Sequence, residues 1–123
     1  MKSMPYPIII EQPKGSYKSF EIENDVIWKD YPLKGVTYPV EYGYIKGYAS
    51  EDNHDLDVFV GSGKKTGYIT IWRCDVPLET KMILNVTKKE FTSIISAFRP
   101  VIKEQRIFKN KKEFENFIAK YKR

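Results

Sequence analysis

Apolar and polar positions alternate in short runs through the first two thirds of the chain and change to a helical spacing after Val86. The opening run Ile8-Ile9-Ile10-Glu11 reads as a buried strand, ended by the turn residues Pro13-Lys14-Gly15-Ser16. Residues 19–23 alternate Phe20 and Ile22 with polar neighbours, and Asn24-Asp25 turns them back into a hairpin partner over residues 26–29. Pro32 and Gly35 interrupt the chain before an aromatic, β-prone run over residues 38–45. After a loop over residues 47–55 come an apolar strand over 56–60 and a glycine-rich hairpin connection over 61–67. Two further strands follow, over residues 68–73 and 80–86.

Two helices then carry their own start signals. Thr87 is followed three residues on by Glu90, and Asn110 by Glu113, each the pattern of a reciprocal N-terminal cap. Phe91, Ile94, Ile95 and Phe98 form one apolar stripe, and Phe114, Phe117, Ile118 and Tyr121 another. Pro100 stops the first helix, leaving residues 101–108 as an extended connector or an added strand. These elements predict an α+β fold that is mostly β with helices. The expected form is a small OB-like antiparallel β-barrel, closed or partly closed, with the two C-terminal helices packed outside.

At 123 residues, 41% hydrophobic and 15% aromatic, the chain can bury one core, so a single domain over residues 1–123 is expected. The net charge of +5 comes mainly from the last third, whereas residues 51–57 are acidic. A basic shell around an acidic pocket suits a small, highly charged phosphate better than a long nucleic acid. Cys74 is the single cysteine, which excludes an internal disulfide and fits a reducing compartment. The apolar run at Ile8 to Ile10 is too short for a signal-peptide core or a membrane span, so a cytoplasmic protein with no membrane partner is expected.

The densest chemistry is Asp52-Asn53-His54-Asp55-Leu56-Asp57, a loop running straight into Val58-Phe59-Val60. Three aspartates within six positions repel one another unless a cation sits among them, and hard divalent ions take oxygen ligands. The plainer alternative is an acidic turn whose Asp and Asn side chains cap local backbone groups. An EF-hand does not fit, because the apolar strand arrives too soon. The Gly61 to Thr66 stretch lacks the first glycine of a phosphate-binding P-loop and leads into a strand, which excludes that motif.

Several segments, in order, resemble the soluble inorganic pyrophosphatases: the apolar strand ending Glu11-Gln12-Pro13, the strand Ser19-Phe20-Glu21, the segment Tyr38-Pro39-Val40-Glu41-Tyr42-Gly43, and the cluster Asp52 to Asp57. The resemblance implies that Glu11 and Glu21 are active-site carboxylates and that Tyr38 and Tyr42 are paired tyrosines, Tyr42 donating to a phosphate oxygen. It further implies that Asp52 and Asp57 are metal-associated. Asp75-Val76-Pro77-Leu78-Glu79-Thr80-Lys81 is similar to the family's two acids followed by a phosphate-binding lysine, and Tyr121-Lys122 to its late Tyr-Lys pair. The chain also departs from the family pattern. His54 stands where the middle aspartate of the signature would be, and Asp55 where its proline would be. Ser19 and Asp30 replace basic residues, leaving Lys18 and Lys29 next door to meet phosphate.

What the resemblance implies is metal-dependent hydrolysis of pyrophosphate to two phosphates, with Asp52, Asp57, Glu11, Glu21, Asp75 and Glu79 as metal ligands. Mg²⁺ is the expected ion. The imidazole of His54 shifts the expected preference toward Mn²⁺ or Co²⁺. His54 or Asp55 would orient the attacking water in place of the missing aspartate. Lys18, Lys29, Tyr38, Tyr42, Lys81, Tyr121 and Lys122 would hold the substrate. Pyrophosphate is the expected partner, no nucleic acid is, and a homo-oligomer is the expected assembly. Two rival readings stay open: a catalytically silent phosphate- and metal-binding module, and a small-barrel nucleic-acid binder using its tyrosines, tryptophans and basic tail.

Overall fold

The structure is a computed structural model that describes residues 6–20 and 30–123. In chain order the described elements are β1 (Ile8–Gln12), β2 (Tyr17–Ser19), β3 (Gly35–Thr37), β4 (Glu41–Ala49), β5 (Asp55–Val60), β6 (Lys65–Ile71) and β7 (Glu79–Val86). Then come α1 (Lys88–Phe98), a 3₁₀ turn (Arg99–Val101), β8 (Ile102–Ile107) and α2 (Lys111–Ala119). The fold is α+β and mostly strand, as the sequence predicts. Six strands form one sheet in the order β1-β4-β5-β7-β6-β8, while β2 and β3 form a separate antiparallel ribbon. Residues 101–108 resolve to the added strand, since β8 pairs with β6.

The barrel is a correction. Among the described residues the sheet is open, with β1 and β8 as its two edges. Neither is it wholly antiparallel, because β5 and β7 run parallel, pairing Asp57 with Lys81 and Phe59 with Ile83. The hairpin expected across residues 61–67 is also absent, for β7 lies between β5 and β6. The reason is the unbroken apolar run Met82-Ile83-Leu84, fully buried, which requires cover on both faces and so takes a central position.

Side chains alternate across a strand, so this sheet divides its apolar residues between two cores. On one face Tyr42, Phe59, Ile69 and Ile83 pack with Ile94, Ile95 and Phe98 of α1 and with Tyr31, Val36 and Tyr38. On the other, Ile45, Leu56, Val58, Tyr68, Met82 and Leu84 pack with Phe114 and Ile118 of α2. Each helix thus seals one face of a flat core, and the central strands need no barrel closure to be buried.

The local signals for the helices hold at atomic detail. Thr87 caps α1 by accepting from the Glu90 N–H at 3.0 Å, while Glu90 Oε1 accepts from the Thr87 N–H at 2.8 Å. Asn110 caps α2 in the same way, but Glu113 turns to Arg106 at 2.7 Å instead of returning to the cap. Gly43 explains how β1 reaches β4: a Cβ there would collide with the Ile9 carbonyl. The predicted hairpin over residues 19–29 lies largely outside the described residues. What is described pairs β2 with β3, a strand that the breakers Pro32 and Gly35 conceal in the sequence.

Candidate active site

Strand parity gathers the site. Lys81 lies opposite Asp57 across the parallel pair, Asp57 precedes Phe59 by two, and Phe59 lies opposite Tyr42 on β4. All therefore face the α1 side of the sheet. Lys81 is 6% exposed, and its Nζ donates to Tyr42 Oη at 2.6 Å, to Asp57 Oδ2 at 2.9 Å and to Glu79 Oε2 at 3.3 Å. Tyr42 Oη in turn donates to Asp57 Oδ2 at 2.7 Å. A buried ammonium thus has all three protons committed, the condition under which burial of a charge is tolerated.

The charges of this group are set by their neighbours. Burial works against the Lys81 ammonium, but Asp57, Tyr42 and Glu79 outweigh it and hold its pKa well above the ordinary lysine value. Burial would raise Asp57 as well, yet Lys81 and the hydrogen bonds from Tyr42 and Lys81 keep it below the ordinary aspartate range. Glu79 goes the other way: burial, with the adjacent Asp57 charge, pushes it above 4.5 in spite of Lys81 and Arg73. The two neighbouring carboxyls are thus shifted in opposite directions, Asp57 downward and Glu79 upward. Burial also pushes Tyr38 and Tyr31 up to about 12, which keeps their hydroxyls as donors.

These groups open onto a cavity of about 270 Å³. Its lining brings Lys18, Ser19, Phe20, Tyr31, Leu33 and Tyr38 together with Tyr42, Asp57, Arg73, Glu79, Lys81 and Phe98. Tyr38 stacks on Tyr42 with ring centroids 4.5 Å apart, which fixes both rings. Arg73 was not singled out by sequence reasoning, and it is the hub of the acidic residues. Its Nη1 reaches Asp52 at 3.4 Å and Glu79 at 3.5 Å, and its Nε and Nη2 each reach Asp75 at 3.2 Å. Its one signal in the sequence is its place two residues before Asp75.

The structure brings together Lys18, Tyr38, Tyr42, Asp57, Glu79 and Lys81 around the cavity, and links Asp52 and Asp75 to it through Arg73. It leaves the others apart. Asp52 Oδ1 accepts from the His54 N–H at 3.0 Å, a turn-capping bond, and His54 itself is exposed and does not line the cavity. Asp55 pairs with Arg123 at 3.3 Å. Glu11 sits exposed on edge strand β1, near enough for its charge to act on the Tyr38 hydroxyl. Tyr121 hydrogen-bonds Thr80 and Glu51, and its ring packs on the α2 side of the sheet; Lys122 is exposed beside Tyr48. Glu21 and Lys29 lie outside the described residues.

Among the described residues no three His, Cys, Asp or Glu side chains converge so as to hold a metal ion. The reason is visible in the contacts: Asp52, Asp75 and Glu79 turn their oxygens toward a guanidinium, and Asp57 toward an ammonium. As placed, this donor set does not fit a divalent cation.

The family model described as Inorganic Pyrophosphatase matches residues 1–75 of the 123. The chain belongs to the inorganic pyrophosphatase family. The match carries Tyr38, Tyr42, Asp52, Asp57 and Arg73 and stops before Glu79 and Lys81, which β7 delivers to the same cavity. No curated protein and no solved structure matches the chain. Family membership points to a pyrophosphatase-related function. Among the described residues no helix is long and apolar enough to cross a membrane.

Proposed function

We propose that the cavity binds inorganic pyrophosphate or a close analogue and that the protein hydrolyses it to two phosphates. The observation that carries this reading is the buried Lys81 ammonium, fixed by Tyr42 and Asp57 in the lining of a cavity also lined by Lys18, Arg73 and Tyr38. Cations and phenolic donors at one concave surface match the oxygens of a compact polyanion. Hydrolysis needs a proton removed from the attacking water and one supplied to the departing phosphate. Asp57, whose pKa is lowered by Lys81, and Glu79, whose pKa is raised by burial, are the carboxyls placed for those two transfers, and Lys81 and Arg73 face the charge that builds on the phosphoryl oxygens. Because the described donor set does not fit a divalent ion, none of these steps is assigned to a metal. A cytoplasmic location accords with the lone Cys74.

A second reading is favoured by one observation: His54, in the place of the signature's middle aspartate, is exposed and outside the cavity lining. On that reading the pocket binds pyrophosphate without turning it over. The decisive experiment is phosphate release from pyrophosphate, measured in EDTA and with Mg²⁺, Mn²⁺ or Co²⁺, alongside pyrophosphate binding by calorimetry. Turnover supports the enzyme. Binding without turnover supports the silent module, and absence of both rejects the pyrophosphate site altogether.

A further inference from the structure

We propose that Arg73 takes the place of a divalent cation in this site, so that the pocket binds pyrophosphate without metal. The proposal rests on the pyrophosphate reading above. Three acidic residues from separate stretches, Asp52 in the loop before β5, Asp75 in the loop after β6 and Glu79 at the start of β7, surround one guanidinium at 3.2–3.5 Å. A Mg²⁺ ion would require such oxygens to converge to about 2.0–2.1 Å from one point. Here they are spread instead around the edge of a planar fork, with Asp75 gripping Nε and Nη2 side by side. The mutual repulsion of the acids, which an inorganic ion would otherwise relieve, is relieved by the protein's own charge.

Arg73 is also held where this requires. Tyr31 Oη donates to the Trp72 carbonyl at 2.6 Å, the Trp72 N–H donates to Val101, and the Arg73 N–H donates to the Val76 carbonyl at 2.9 Å. The loop is therefore tied on both sides of the residue, and the side chain reaches the cavity at 28% exposure. The carboxylates Asp52 and Asp75 touch Arg73 without lining the cavity. Facing the cavity are the three cations Lys18, Arg73 and Lys81 against the two carboxylates Asp57 and Glu79. The balance presented to an anion is positive with no ion added.

Calorimetry with pyrophosphate in EDTA, and Mn²⁺ binding followed by electron paramagnetic resonance, test this on wild type, Arg73→Gln and Arg73→Lys. Wild type is expected to bind pyrophosphate in EDTA and to show no stoichiometric Mn²⁺ site. Arg73→Gln is expected to lose about tenfold or more in metal-free pyrophosphate affinity, the scale of a charged hydrogen bond, and to acquire Mn²⁺ binding. Arg73→Lys keeps the charge without the fork and is expected to fall between them, with thermal melts confirming that each variant is folded. Pyrophosphate binding by wild type only when metal is present, or equal Mn²⁺ affinity in wild type and Arg73→Gln, overturns the inference but leaves the pyrophosphate site standing. No pyrophosphate binding with or without metal overturns both.

Discussion

Thr80 and Lys81 are neighbours on β7 that point to opposite faces of the sheet, and each ends in a network with a tyrosine and carboxylate. On the α2 side, Thr80 Oγ1 donates to Glu51 Oε2 at 2.7 Å and meets Tyr121 Oη at 3.0 Å. Glu51 Oε1 accepts from Ser50 Oγ at 2.7 Å and from the Thr80 N–H at 2.9 Å. That network is closed: neutral donors converge on one carboxylate and tie the acidic loop and the chain's last helix to the sheet. On the α1 side, the Lys81 network contains a buried cation, two carboxyls whose pKa values are shifted in opposite directions, and an adjoining cavity. The same residue types serve cohesion where donors and acceptors balance, and recognition where charge faces an open volume.

The contrast is broken most severely by removing the cation. Lys81→Met leaves Asp57 buried beside Tyr42 with no counter-charge, so a loss of about 3–5 kcal/mol in urea unfolding is expected, together with loss of pyrophosphate binding. Thr80→Val on the other side should cost about 1–2 kcal/mol and leave affinity unchanged. An equal effect of the two on affinity would erase the distinction between the faces.

Hydroxyl deletions come next. Tyr42→Phe is expected to weaken pyrophosphate binding about tenfold, since the ring keeps its stacking on Tyr38 while Lys81 loses an acceptor. Tyr121→Phe should lower stability by about 1 kcal/mol with binding intact.

The two glutamates sharpen the comparison through pH. Glu79 is raised above 4.5, so its contribution to stability is fully present below 4.5 and is lost as pH rises through its folded value. Glu51 is lowered, because hydrogen bonds from Ser50 and Thr80 outweigh the burial that would raise it. Its contribution is therefore present above 4.5 and is lost as pH falls through its folded value. Thermal melts against pH should show wild type losing ground to Glu79→Gln on going from acid toward neutral pH, and gaining ground on Glu51→Gln over the same change. Parallel curves for both variants would refute the opposite shifts of the two glutamates.

The smallest effect is expected at His54. As it is exposed and does not line the cavity, His54→Asp should alter pyrophosphate affinity less than about twofold, below the value of one net hydrogen bond. A larger change, read by calorimetry, would bring the acidic loop into the site.

Local chemistry made much of the fold legible. The caps at Thr87 and Asn110, the apolar stripes behind them and the strands around Tyr42, Phe59, Ile69 and Ile83 all follow from spacing. Pairing order does not, because it is a choice among distant partners. Nothing near Gly61 to Gly67 announces that β7 will displace β6 as the neighbour of β5. Among residues that line the cavity, Tyr38, Tyr42, Asp57 and Lys81 are legible as a set through the family resemblance, and strand parity explains why Tyr42, Asp57 and Lys81 meet. Arg73 was not legible, since an arginine at the end of a strand ordinarily reaches into solvent and only the folded positions of Asp52, Asp75 and Glu79 draw it inward. Tyr121 and Lys122 resemble a phosphate-binding pair, but they follow the end of α2, and Tyr121 packs against the opposite face.

The parallel pairing of Asp57 with Lys81 also bears on how the chain avoids misfolding. β5 and β7 are apolar over most of their length and are joined only through β6, so hydrophobicity alone distinguishes poorly between adjacent registers. A slip of one residue would turn the Lys81 ammonium into the core of Met82, Leu84 and Phe114 and set the Thr80 hydroxyl against Asp57. Stranding both ions would cost several kcal/mol each, more than any apolar contact such a slip could recover. The pair therefore acts as a key for strand alignment, weighing against the one-residue slip before a ligand is ever encountered.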